Sequence, residues 1–236
     1  VNKFIYGGTS PRNIPFTNVR LPWFRVPGIR DVERGDVIVF VFPGYREEVQ
    51  PDEFTFYLKR CVGLPGDTVR IVDRVLFVND ETFPLPRNMK FSSPVRRPPE
   101  LVDERVFPPG MPWNEDNYGP LVVPYKGMTV PLHVGNYDQW KTFLQREGHA
   151  VALTREGVLV DGTLTSTYVV ERDYVFGMGD HRDNSLDSRY WGFIPKENLV
   201  GTPILVYWSW NSDIPLTSIF ERLGSVRWGR IGKIID

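Results

Sequence analysis

Apolar and β-branched residues recur along the whole chain in short runs broken by Gly and Pro, a pattern that predicts strands far more often than helices. Gly35-Asp36 leads into an apolar run over 37–42 that stops at Pro43-Gly44. From 54 to 62 the residues alternate. Phe54, Phe56 and Leu58 fall on one face of a strand, Tyr57, Lys59 and Cys61 on the other. Leu64-Pro65-Gly66-Asp67 carries proline second and glycine third, the order that a type II turn prefers. The runs over 69–72 and 75–78 then predict a short hairpin. Asp161-Gly162, between strand-like runs over 158–165, predicts another. Further strands are expected over 174–178 and, as a long one, over 200–210.

Between 81 and 131 the pattern lapses. Eleven of the 21 prolines lie there, and proline lacks an amide donor and fixes φ, so the stretch is neither central sheet nor helix interior. From 136 to 147, Tyr137, Trp140, Phe143 and Leu144 return at helical spacing, with Asn136 or Asp138 placed to cap. One short amphipathic helix packed on a sheet is the expectation. The chain thus reads as mainly β, antiparallel sheets over 1–79 and 150–236 forming a core. A region over 80–149, proline-rich and partly β with one helix, is inserted in it.

Composition narrows the function classes. Of 236 residues, 41% are hydrophobic and 24% charged, inside the globular range, so disorder is not the default. A net charge of −1 and scattered basic residues argue against a nucleic-acid partner. Cys61 is the single cysteine, which rules out an intrachain disulfide and a cysteine-based structural zinc site. No stretch approaches the ~18 apolar residues of a membrane-spanning helix. Patterned sequence begins directly at Val1, which suggests that the chain starts inside a longer protein.

Two places stand out chemically. The densest polar cluster is Asp180-His181-Arg182-Asp183-Asn184-Ser185-Leu186-Asp187-Ser188-Arg189. It lacks the central glycine and terminal glutamate of a calcium loop, and its arginines and carboxylates can satisfy one another in a bracing loop. The second is Lys59, set in an otherwise apolar strand. A desolvated lysine loses its proton more readily and serves as a general base; an edge-strand lysine instead reaches into water and guards against aggregation. Both readings are open on spacing. His133, His149 and His181 are far apart and match no zinc motif, and nothing local marks a Ser-His-Asp triad.

Tyr57-Leu58-Lys59-Arg60-Cys61-Val62-Gly63-Leu64-Pro65-Gly66-Asp67 resembles the lysine-bearing box of bacterial type I signal peptidases, the Ser/Lys-dyad S26 peptidases. Gly177-Met178-Gly179-Asp180-His181-Arg182-Asp183-Asn184-Ser185-Leu186-Asp187-Ser188-Arg189-Tyr190-Trp191-Gly192 resembles that family's last box. Similarity runs from Lys3-Phe4-Ile5-Tyr6-Gly7 and Arg34-Gly35-Asp36-Val37-Ile38-Val39-Phe40 through Leu199-Val200-Gly201 to Arg230-Ile231-Gly232. Asp116-Asn117-Tyr118-Gly119-Pro120 looks like insertions of the Bacteroidetes type.

The resemblance implies a membrane-bound endopeptidase that removes signal peptides from exported preproteins, its catalytic domain on the periplasmic face of the inner membrane, with no cofactor and no metal. Lys59 would be the general base and Ser185 would orient its amine. Asp187 with Arg189 and Asp180 with Arg60 would form supporting ion pairs beside Gly179. Tyr57, Leu58 and Val39 would line the groove in which the signal peptide adds as a strand. In the family the nucleophilic serine precedes the stretch matching 1–7, so nucleophile and membrane anchor are expected upstream, and the chain alone is expected to be inactive. Ser10, before Pro11, does not fit the nucleophile motif. The alternative is a non-catalytic peptide-binding homologue, against which the presence of both Lys59 and Ser185 weighs. A self-cleaving repressor-type Ser/Lys protease would need a DNA-binding helical domain that the sequence does not show.

Overall fold

The structure, a computed structural model, describes residues 5–6, 28–206, 209–211, 214–215 and 217–234. The chain divides into two compact units, Val32–Leu199 and the pair Val1–Asp31 with Val200–Asp236. Ser10 and Lys3 lie outside the described residues, and with them the readings placed on them.

In the larger unit, strands β1 (Val37–Val41), β2 (Phe56–Gly63), β3 (Thr68–Val72), β4 (Val75–Val78), β5 (Glu81–Thr82), β6 (Tyr118–Val122) and β7 (Thr129–Pro131) precede the helix α1 (Tyr137–Arg146). After it come β8 (Val151–Leu153), β9 (Val158–Val160), β10 (Thr163–Thr165), β11 (Thr167–Val169), β12 (Tyr174–Met178), the one-turn helix α2 (Ser188–Trp191) and β13 (Ile194–Pro195). β14 (Leu199–Gly201) begins where this unit ends. The main sheet has the order β13-β12-β2-β1-β14, so β2 lies at its middle. The pairings among strands β1 to β13 are all antiparallel. The second sheet runs β5-β4-β3-β6.

The turns form as their residues dictate. Asp67 N–H donates to Leu64 O at 3.0 Å across Pro65-Gly66, with Gly66 at φ +88°. The β9–β10 hairpin turns through Asp161 (φ +50°) and Gly162 (φ +78°), positive at both central positions as a type I′ turn requires. Pro120 sits in β6, an outer strand of its sheet, where a missing amide donor is tolerated.

The sheets and α1 share a core that includes Val62, Val69, Tyr118, Leu144, Phe176 and Phe193. Burying each such side chain contributes roughly 1.5–3 kcal/mol. From α1, Phe143 packs 4.8 Å from the ring of Tyr174. The helix end is fixed by polar groups. Glu147 accepts the hydroxyls of Tyr168 and Tyr174, the latter at 2.8 Å, and the amide of Glu171. Arg146, which burial pushes down to about 10, donates to the carbonyls of Gly44, Tyr45 and Glu48.

Two expectations are corrected. Among the described residues of the span 200–210, the expected long strand is broken: it holds Leu199–Gly201 and an isolated bridge at Leu205, with Pro203 lacking the N–H that would continue a ladder. Positions 207 and 208 lie outside the described residues. Asn136 occupies the N-cap position of α1 as expected, but its side chain makes no capping bond and turns back, accepting from His133 N–H and donating to Pro131 O. The smaller unit holds α2's successor α3 (Ile219–Gly224) and a bridge between Leu205 and Ile234. Among the described residues, no helix is long and apolar enough to cross a membrane.

Candidate active site

Lys59 sits on β2, paired across β1 with Ile38, while β12 flanks β2 on its other side. Its strand is therefore central, and the edge-strand reading of this lysine falls. Gly177 of β12 makes room for it. A Cβ at Gly177 would lie 3.1 Å from Lys59 Cβ and 2.9 Å from Ile194 Cδ1. The Lys59 Nζ reaches Ser185 Oγ at 2.9 Å across 126 residues of sequence. Gly179 leaves the space that Ser185 fills, since a Cβ there would stand 2.2 Å from Ser185 Oγ.

Burial pushes the Lys59 pKa below the ordinary lysine value; Asp187 opposes this and Arg189 reinforces it. Those two neighbours carry opposite charges and are bound to each other, so burial governs the lysine. Arg189 donates from Nε to Asp187 Oδ1 at 2.9 Å and from Nη2 to Oδ2 at 2.8 Å, a bidentate pair with both side chains almost wholly buried. Burial by itself would raise the Asp187 pKa, but Arg189 and the Gly179 amide, 3.0 Å from Oδ2, hold the carboxyl below the usual carboxylate range. The same carboxylate caps α2 by accepting from Arg189 N–H.

Arg60, whose side chain leaves the opposite face of β2, grips Asp180 with two bonds of 2.9 and 2.7 Å and donates to Gly35 O. This joins the two sequence boxes directly. The register splits the expected groove residues between faces. Val39 pairs with Leu58, while Tyr57 lies opposite Phe40 on the Lys59 face and stacks on Phe42 at 4.4 Å. Leu58 is half exposed beside Phe56 and Phe54, which contact edge-to-face at 5.1 Å.

Not every charge in the polar cluster is paired as its composition suggested. Arg182 is buried, its Nε has no hydrogen-bond partner, and Nη1 meets only the Met178 sulfur, at 3.9 Å. Burial pushes this guanidinium down to about 10. Nothing in the local sequence distinguishes it from Arg189. The contacts of the cluster with residues near 90, almost a hundred positions earlier, were equally invisible to spacing.

Residues 1–208 match the family described as "Signal peptidase, peptidase S26". Signal peptidase I of Pseudomonas fluorescens is 30% identical over 96% of this chain and 64% of its own length. That of Pseudomonas aeruginosa is also 30% identical over the same shares, and that of Helicobacter pylori strain J99 is 25% identical over 100% of this chain and 78% of its own. The chain thus spans just under two thirds of the Pseudomonas relatives. A crystal structure of a signal peptidase I from Enterococcus faecalis V583 is 20% identical, with a TM-score of 0.36 over 75% of this chain and 99% of that one. With the family match extending through both boxes, the chain belongs to the signal peptidase family, peptidase S26.

Proposed function

We propose that this chain is the catalytic part of an endopeptidase that removes N-terminal signal peptides from exported preproteins at the periplasmic face of the bacterial inner membrane. The observation that carries the reading is the Lys59–Ser185 contact in the middle of a sheet, where burial favours a neutral amine. In the proposed reaction, neutral Lys59 takes the proton of a serine hydroxyl as it attacks the scissile carbonyl, and the resulting ammonium returns a proton to the leaving amine. Water then hydrolyses the acyl-enzyme by the reverse use of the same base. Ser185 holds the Nζ in line, the part that the third member plays in a triad. The attacking hydroxyl is distinct from Ser185. A role confined to peptide binding leaves the burial of a lysine beside a serine without a use.

Ser185→Ala in the natural protein separates these roles. Removing an orienting hydroxyl should lower kcat by about ten- to a hundredfold with KM little changed. A loss as complete as that of a Lys59 variant would make Ser185 the nucleophile and overturn its assignment here.

The pH dependence has a definite sign. The base works only when deprotonated, so activity rises with pH as Lys59 loses its proton. A lowered pKa moves that rise below the ordinary lysine value of ~10.4. A kcat/KM profile measured with a preprotein substrate checks this. A rise centred on ~10.4 would show that burial does not govern the amine.

A further inference from the structure

Between Asp180 and Asp187, the loop that carries Ser185 is anchored at its ends by Arg60 and Arg189. Its middle is held by a different part of the chain, a strap over 90–95 from the proline-rich region. Lys90 and His181 form a parallel bridge in which Lys90 N–H donates to Asp180 O at 2.9 Å and Arg182 N–H to Lys90 O at 3.0 Å. Asp183 accepts two consecutive strap amides, Ser92 N–H at Oδ1 (2.8 Å) and Ser93 N–H at Oδ2 (2.7 Å). The Ser92 hydroxyl lies 2.5 Å from His181 Nε2.

The strap is itself clamped from behind. Arg74, in the β3–β4 turn, donates to Ser93 O at 2.8 Å and to Val95 O, and its guanidinium lies 4.4 Å over the Phe91 ring. Its Nε is fixed by Asp116, at 2.9 Å and almost wholly buried, which also accepts Arg97 N–H. A continuous set of bonds thus runs from Asp116 through Arg74, the strap and Asp183 to the loop two residues before Ser185. Loops without such bracing sample many arrangements, and a catalytic group displaced by about 1 Å can cost about a hundredfold in rate.

We propose that the strap over 90–95, clamped by Arg74 and gripping Asp183, positions Ser185 against Lys59. Arg74 and Asp183 are positioning residues, acting through Ser185 without touching substrate. This rests on the Ser/Lys reading above. Loosening the strap lets Ser185 drift and water reach the lysine, which relieves its desolvation.

The test compares Asp183→Ala, Asp183→Asn and Arg74→Ala in the natural protein, with Lys59→Ala as reference, by kcat, KM, the pH–rate profile and thermal unfolding. Asp183→Ala should lower kcat about ten- to a hundredfold, hold KM within about threefold and move the acid limb to higher pH. Arg74→Ala should do the same more weakly, because the Asp183 bonds remain. Asp183→Asn keeps the shape and one accepting oxygen, so it should fall between wild type and alanine even if the alanine variant folds poorly. Unchanged kcat and an unmoved acid limb in folded variants, with Lys59→Ala inactive, would overturn the positioning role alone. An active Lys59→Ala would overturn the Ser/Lys reading beneath it.

Discussion

In the natural protein, Lys59→Ala is expected to abolish preprotein cleavage while leaving the protein folded. In Ser-base systems, removing the base alone lowers kcat by on the order of 10⁴- to 10⁶-fold, because the residues act as a unit. The fold should tolerate the change for a local reason. Lys59 spends its one described hydrogen bond on Ser185, and alanine removes a cation that burial already disfavours. Asp187, the carboxylate that acts electrostatically on Lys59, retains its bidentate arginine. The measurements are single-turnover cleavage of a preprotein and circular dichroism of the same sample. Cleavage within tenfold of wild type, in a folded variant, would remove Lys59 from the reaction. Lys59→Arg should be equally inactive, since a guanidinium does not give up its proton near neutral pH.

Asp187→Ala should instead damage stability first and activity as a consequence. Its carboxylate has no exposed surface and satisfies Arg189, the Gly179 amide and the first turn of α2 together. Taking away one partner of a buried pair strands the other charge, at a cost of about 3–5 kcal/mol. For a chain of this size that corresponds to a fall of about 10 °C in Tm. Since the Asp187 pKa is held low in the folded state, its stabilising contribution is fully present above the unfolded carboxyl value of ~3.9. It fades as the pH falls through the lower folded value. The difference in Tm between wild type and Asp187→Ala should accordingly be large at pH 7 and shrink in acid. A change of under ~1 kcal/mol at pH 7 would mean that the pair is dispensable.

Local signals were readable where the cause is local. The β3–β4 and β9–β10 hairpins form where the short runs and Asp161-Gly162 placed them, because turn geometry depends on two or four residues. The helix α1 lies inside its expected span because apolar periodicity sets the face it buries. Lys59 shows the limit of such reasoning. Alternation within β2 placed it on a face, but whether that strand was central or at an edge depended on β1 and β12, the latter more than a hundred residues away. Only likeness to a family chose between base and edge lysine. The strap on Asp183 and the unpartnered Nε of Arg182 escaped for the same reason, as both depend on chain crossings that no spacing encodes.

Cys61 follows Lys59 by two positions on the same strand, wholly enclosed, and burial pushes its thiol up to about 12. Disulfide exchange begins with attack by a thiolate, so both the charge and the access that this chemistry needs are missing. The folded chain can therefore stand in an oxidising compartment without being captured as a mixed disulfide by the oxidases there. Its thiol becomes reactive only where unfolding uncovers the face of β2 on which it is buried.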